Sequence, residues 1–306
     1  EVALRAAFLV AMSGKQVAVV APTTLLCRQH FRTFSERFRG LPVRVRQLSR
    51  LVSAKEAAET RAGLADGRIE IVVGTHALLS KQVKLRDLGL TIIDEEQHFG
   101  DKHKERHALT LSATPIPRTM QLALAGIREM SLITTPPIDR MAVRTYVTPF
   151  DAVTVREALL REKYRGGQSF FVAPRISDLE EVSAFLRRTV PEITFAVAHG
   201  QMAAGQLDEI MTRFYDGAFD VLVSTSIVES GLDIPRANTL VVFRGDMFGL
   251  AQLYQLRGRV GRSKVRAYAY LTTAAEQALT LGAEKRLKVL SSLDNLGAGF
   301  TLASHD

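Results

Sequence analysis

The sequence predicts an α/β protein made of two similarly built lobes, each a mainly parallel sheet flanked by helices. Three observations predict it. First, the chain repeats itself. QVAVVAP at Gln16–Pro22 is matched by QSFFVAP at Gln168–Pro174, and GRIEIVVGT at Gly67–Thr75 by GAFDVLVST at Gly217–Thr225. The offsets are 152 and 150 residues, close enough to mean two copies of one unit. Second, each repeated segment is a short, β-rich apolar run, the pattern of a strand buried on both faces of a parallel sheet. Third, helical stretches alternate with these runs.

The expected helices are Val2–Met12, Thr24–Phe38, Ser53–Ala65, Pro117–Ala125, Leu179–Val190 and Gly205–Tyr215, with Gly14 ending the first. Pro136 and Pro137 mark the expected linker. The boundaries follow as lobe one at 1–138, lobe two at 139–280 and a C-terminal piece at 281–306.

Composition fits a globular protein of two ordinary domains: 306 residues, 46% hydrophobic and 24% charged. No apolar run reaches the ~18 residues of a membrane helix. EVALRAAFLV has no basic leader ahead of its apolar stretch and does not read as a signal peptide, so the cytoplasm is the expected location. The single cysteine, Cys27, excludes an intrachain disulfide framework and a cysteine metal site. The formal net charge is +8, and it is unevenly spread. No acid lies between Glu36 and Glu56, or between Asp246 and Glu276, while Arg and Lys recur in both windows. Such stretches suit a polyanion, because cations that neutralise phosphates supply most non-specific nucleic-acid affinity.

Four segments point to chemistry. LTIIDEEQH (Leu90–His98) is an apolar strand ending in adjacent carboxylates. Phosphoryl transfer needs a hard oxygen ligand for Mg²⁺ and a group that orients the attacking water. Asp94 suits the first role and Glu95 the second, with His98 beside them; a solvated acidic turn is the plain alternative. TLSATPIPRT (Thr110–Thr119) offers Ser112 and Thr114 as hydroxyls that could relay nucleotide state. STSIVESGLDIP (Ser224–Pro235) places Thr225, Gly231 and Asp233 after a lobe-two strand, with Gly231 admitting close backbone approach and Asp233 suited to a ribose hydroxyl.

QLYQLRGRVGRS (Gln252–Ser263) is the sharpest of the four. Read as one helix, it puts Arg259 and Arg262 a turn apart on one face, where both could meet a γ-phosphate. A basic helix facing solvent or DNA is the alternative. Gln255 lies within the same string. Three strand-to-helix junctions are candidate nucleic-acid contacts through backbone N–H groups and hydroxyls: Pro22, Thr23 and Arg28; Gly74, Thr75 and His76; His199 and Gly200. Thr225 joins them. Apart from His98 and His199, the histidines read as surface or satisfied core residues, and no spacing suggests a zinc site.

In this order, these motifs resemble superfamily 2 helicases across almost the whole chain. GTHALL, IIDEEQHFG, TLSATPIPRT, HGQM and FGLAQLYQLRGRVGRS resemble the branch that couples transcription to DNA repair, together with its sister branch of branch-migration helicases. KHKER, TPPIDRMAVRTYV and LGAGF favour the first of the two. LGAGFTLASHD (Leu296–Asp306) resembles the start of a helical hairpin that couples hydrolysis to stepping on DNA. The resemblance implies RecA-like lobes, ATP with Mg²⁺, double-stranded DNA as track, and RNA polymerase and nucleotide-excision-repair proteins as partners. It also implies a phosphate-binding loop, GxxxxGK followed by Ser or Thr, just ahead of the helix at Glu1; residues 1–306 contain no such string. About ten further residues are expected between Arg106 and His107. A fragment without the loop could bind nucleic acid without hydrolysing ATP, which is the alternative from a different functional class.

Overall fold

The computed structural model describes residues 1–50, 52–80, 82–95, 108–111, 129, 131, 133, 141–225, 234–262, 264–274 and 279–292. Two compact units emerge, 1–113 and 114–306. The first contains α1 (Val2–Met12), β1 (Gln16–Val20), α2 (Thr24–Arg37), β2 (Val45–Leu48), α3 (Ala54–Ala65), β3 (Ile71–Gly74), β4 (Leu88–Asp94) and β5 (Ala108–Leu111). Its sheet runs β2-β3-β1-β4-β5 with every pairing parallel. The second contains β6 (Arg144–Pro149), α4 (Ala152–Tyr164), β7 (Gln168–Val172), α5 (Asp178–Thr189), β8 (Phe195–Ala198), α6 (Ala204–Tyr215), β9 (Val221–Ser224), β10 (Ala237–Val242), α7 (Leu250–Arg257), β11 (Tyr268–Thr273) and α8 (Leu281–Ser292). Its six strands lie in the order β6-β11-β10-β7-β9-β8, again all parallel.

The repeated segments become the sheet centres. All five residues of β1 and all five of β7 are buried. In β1, Val17 and Val19 pack with Leu4, Ala7, Leu26 and Phe34 on one face, and Ala18 and Val20 pack with Ala57 and Leu64 on the other. That two-sided cover is why the strand reads as a continuous apolar run. Local chemistry sets the helix starts. Thr23 caps α2 by accepting from Leu26 N at 3.2 Å, and Asp151 caps α4 by accepting from Thr154 N at 2.7 Å. Ser53 and Glu56 close a reciprocal capping box on α3. Caps of this kind contribute about 1 kcal/mol each.

The expected helices near 2–12, 24–38, 53–65, 179–190 and 205–215 form within a residue or so of the boundaries read from sequence. Helix α4 is not among the helices expected from the sequence, and α7 covers only the first part of the string Gln252–Ser263 expected as one helix. The expected helix 117–125, the Pro136–Pro137 linker and the segment 293–306 lie outside the described residues. Among those described, no helix is long and apolar enough to cross a membrane.

Candidate active site

Because all strands in a lobe run the same way, their carboxyl ends share one edge, the edge at which open α/β sheets bind ligands. In the first lobe Val20 registers with Gly74 of β3 and with Ile93 of β4. Pro22, Thr23, Gly74, Thr75, Asp94 and Glu95 therefore collect along one edge. In the second lobe Ala198 registers with Ser224, which brings the loops of His199, Gly200 and Thr225 to the equivalent edge.

Asp94 is the last residue of β4. Its Oδ1 accepts from Glu95 N at 3.0 Å, and its Oδ2 lies 2.7 Å from Nε2 of His30 on α2. Glu95 is 5% exposed and has φ +52, the left-handed region that a residue with a Cβ rarely enters. Holding it there costs on the order of 1–3 kcal/mol, and such outliers collect at functional sites. The side chain of Asp94 keeps 22% exposure, so an ion from solvent can reach it.

The donor set fits Mg²⁺ bound with nucleotide. Mg²⁺ keeps most of its waters and uses one or two carboxylates plus substrate phosphates, not an all-protein cage. Among the described residues no group of three or more His, Cys, Asp or Glu could hold a metal by itself. His98, the third member of the expected constellation, lies outside the described residues, as do Ser112, Thr114, Gly231 and Asp233.

His30 is a functional candidate that the sequence reading placed among surface or core histidines. Its signal was available: it sits between Cys27 and Phe34 on the face of α2 that packs on the sheet. Next to it, burial pushes the Cys27 thiol up to about 12, outweighing hydrogen bonds to Gln47 and Ser49 that lower it. Cys27 is therefore an inert core residue.

The other junction residues have mixed assignments. The Thr23 hydroxyl is occupied by its cap. A Cβ on Gly74 would meet the Leu48 carbonyl oxygen at 2.6 Å and Leu78 Cγ at 2.5 Å, so packing alone demands glycine there. Thr75 opens a 3₁₀ turn at His76–Leu79, in which His76 is exposed. Arg28 is half-buried on α2. His199 donates its backbone N–H to Met202 Sδ at 3.4 Å, and its Nδ1 is buried without a hydrogen-bond partner. Thr225 is buried directly after β9.

The arginines correct the helical reading. Helix α7 ends at Arg257, with Gly258 as its C-cap and Gly261 at φ +75. Arg259 and Arg262 thus follow the helix in a turn, and helical spacing is not what places them. Two glycines within four residues end the helix. Arg259 is 4% exposed, whereas Arg262 is exposed, with its Nε donating to Gly258 O at 3.4 Å. Gln255 lies half-buried on α7.

A DEAD/DEAH box helicase model matches residues 1–125, and a helicase conserved C-terminal domain model matches 152–264. The chain is a superfamily 2 helicase-like segment with two RecA-like lobes. Its sequence aligns along its whole length with transcription-repair-coupling factors: 52% identity to that of Rickettsia prowazekii (strain Madrid E) and 50% to that of Escherichia coli (strain K12). It spans 28% and 27% of their lengths, about a quarter of each. Among solved structures, RecG bound to a three-way DNA junction superposes with TM-score 0.81 at 38% identity, covering 95% of this chain and 40% of that one. Saccharomyces cerevisiae Dbp5 bound to RNA and ADP BeF3 reaches TM-score 0.64 at 16% identity, over 91% of this chain and 75% of that one, a likeness of fold alone.

Proposed function

We propose that this chain is the ATP-driven motor of a bacterial, cytoplasmic, double-stranded DNA translocase that acts on stalled RNA polymerase and recruits nucleotide excision repair. Lobe one is taken as 1–138, lobe two as 139–280, and 281–306 as the start of the stepping hairpin. The observation that carries the reading is the acid pair: a carboxylate at the strand end fixed through both oxygens, followed by a buried glutamate in a left-handed turn. Similarity to coupling factors over the full length of the chain supports the choice of track and target.

Bound Mg²⁺ would offset negative charge on the β- and γ-phosphate oxygens. Asp94 holds the metal's shell, directly or through water. Glu95 orients the attacking water and accepts its proton. Asp233 and Gly231 take the ribose side, and His98 steadies the acid pair. Arg262, with Arg259 behind it, answers charge that builds on the γ-phosphate. Pro22, Thr23, Arg28, Gly74, Thr75 and His76 in lobe one, and His199, Gly200 and Thr225 in lobe two, grip the DNA backbone without reading sequence. Ser112, Thr114 and Gln255 relay nucleotide state between these sites.

A branch-migration helicase is the second reading, favoured by the likeness to RecG on a DNA junction. The higher identity to coupling factors argues for the first. Glu95→Gln, made in the full-length protein that carries this chain, tests the motor itself. Nucleotide affinity should stay within about threefold and hydrolysis should be lost, because the amide keeps the shape without the charge. Hydrolysis at the normal rate would remove Glu95 from the mechanism.

A further inference from the structure

We infer that His30 is a positioning residue for the metal-binding carboxylate, acting through Asp94 and touching neither nucleotide nor metal. The inference rests on the ATPase reading above. His30 lies three residues after Cys27 and four before Phe34, so it shares the helix face that α2 turns to the sheet. Cys27 and Phe34 on that face are packed in the lobe-one core. An apolar side chain would suit the position; the sequence has an imidazole there instead, 2.7 Å from Asp94 Oδ2.

An ionised carboxylate only accepts hydrogen bonds, so Nε2 of His30 must carry the proton. Asp94 Oδ1 meanwhile accepts from Glu95 N at 3.0 Å. With one oxygen held by the helix and the other by its own backbone, the carboxylate plane cannot rotate. Each oxygen still has a second lone pair to offer a metal's water shell. The Glu95 contact alone leaves Oδ2 free to swing, because it restrains only one end of the group. His30 therefore couples α2 to the orientation of the ligand. Outer-shell partners of this kind usually change metal affinity or activity by about 10–100-fold when lost.

The test uses His30→Leu, which fills the space without a donor, and His30→Gln, whose amide places an N–H where Nε2 stands. In the full-length protein loaded with a non-hydrolysable ATP analogue, Mn²⁺ affinity is titrated by electron paramagnetic resonance. Mg²⁺ half-saturation of hydrolysis is measured beside it. His30→Leu should weaken both about tenfold or more; His30→Gln should restore both to within about threefold; nucleotide affinity without metal should not change. Wild-type Mn²⁺ affinity in His30→Leu overturns the inference, and so does equal impairment of both variants, which would make the imidazole a spacer. If His30→Leu fails to fold, ¹⁵N-histidine spectra of the 306-residue chain decide. His30 should be the Nε2–H form with a slowly exchanging proton that Asp94→Ala releases; an Nδ1–H form or fast exchange overturns the inference. Full-length wild-type protein that hydrolyses no ATP would instead sink the ATPase reading. Inactive Glu95→Gln with unchanged metal binding in His30→Leu sinks only the role of His30.

Discussion

The two lobes share a scaffold, and they differ where it meets solvent at the strand ends. In lobe one Val19 and Val20 register with Ile92 and Ile93; in lobe two Phe171 and Val172 register with Val241 and Val242. Asp94 and Glu95 therefore correspond to Phe243 and Arg244. The backbone repeats there too: Glu95 has φ +52 and Arg244 φ +53, the two left-handed non-glycine residues among those described. The side chains do not repeat. Phe243 packs edge-on against Phe150 at 5.4 Å, and both line a cavity of about 220 Å³ with Val182 and Phe185. One strained turn thus presents carboxylates in one lobe and an aromatic followed by an arginine in the other. The two lobes share the geometry of this turn, and only the first carries acids in it.

The largest expected effect tests the shared scaffold. Gln16 donates through Nε2 to Leu64 O at 3.0 Å and Ile69 O at 2.8 Å; Gln168 donates to Phe214 O at 2.7 Å and Phe219 O at 2.8 Å. Both glutamines are buried, and each ties the start of its central strand to the end of the helix that leads into a neighbouring strand, α3 into β3 and α6 into β9. Replacement by Leu strands two carbonyls in each lobe, on the order of 2–6 kcal/mol at about 1–3 per group. Gln16→Leu should cost more, because Gln16 Oε1 also accepts from Asp87 N at 3.1 Å while Gln168 Oε1 is buried without a partner. Amide exchange at β1 and β7 measures each lobe separately. Equal losses would mean the extra bond contributes nothing.

Next comes the point where the copies diverge in volume. Gly74 of β3 corresponds to Ser224 of β9, each registering with the last residue of its central strand. Gly74→Ser forces a Cβ against a carbonyl oxygen at 2.6 Å and should cost about 1–3 kcal/mol. Ser224→Gly should be close to neutral: the added strand flexibility costs about 0.5–1 kcal/mol, and the change removes a buried hydroxyl that has no hydrogen-bond partner. Exchange protection at β3 and β9 reads both; tolerance of Gly74→Ser would show that Leu78 and the Leu48 backbone yield readily.

Much of this was legible beforehand, for a physical reason. Strands buried on both faces write themselves as QVAVV and QSFFV, and a parallel sheet then fixes which loops share an edge. The carboxylates were legible because they follow such a strand directly. What was hidden depends on contacts distant in sequence. His30 reaches Asp94 across 64 residues: its place on the packed face of α2 is readable, its partner is not. The arginines misled in the other direction: three-residue spacing looked helical, but α7 ends at Arg257 with Gly258 as its cap, and Gly261 keeps the turn that follows from continuing it.

That correction sharpens a third prediction. If Arg262 answers γ-phosphate charge while Arg259, buried, anchors the turn, Lys at 262 keeps the charge but loses the planar fork. Arg262→Lys in the full-length protein should slow hydrolysis at least about tenfold, ~1.4 kcal/mol. DNA affinity in a non-hydrolysable nucleotide should barely change. Unchanged hydrolysis, with Arg262→Ala flattening the salt dependence of DNA binding by about one phosphate contact, would make this turn a DNA grip.

The smallest effect concerns how each lobe ties its first helix to its second. In lobe one Arg37 at the end of α2 donates to Glu1 at 2.6 Å; in lobe two the polarity is reversed, with Arg156 of α4 paired to Glu192 just past α5. Arg156 also donates to Thr189 O, and its hydrogen bonds hold the Glu192 carboxyl down to about 2 from an ordinary 4.5. A depressed carboxylate contributes stability that is full above pH 4.5 and fades as pH falls toward 2. Arg156→Gln should therefore loosen lobe two at neutral pH by a small margin, since both groups are a third or more exposed and salt screens them. The difference from wild type should shrink below pH 4.5, close near pH 2 and narrow with added salt, while amides of α1 and α2 stay unaffected. A difference that persists at low pH would assign the work to the bond with Thr189 O, and the reversed ion pairs would then be incidental to the stability of each lobe.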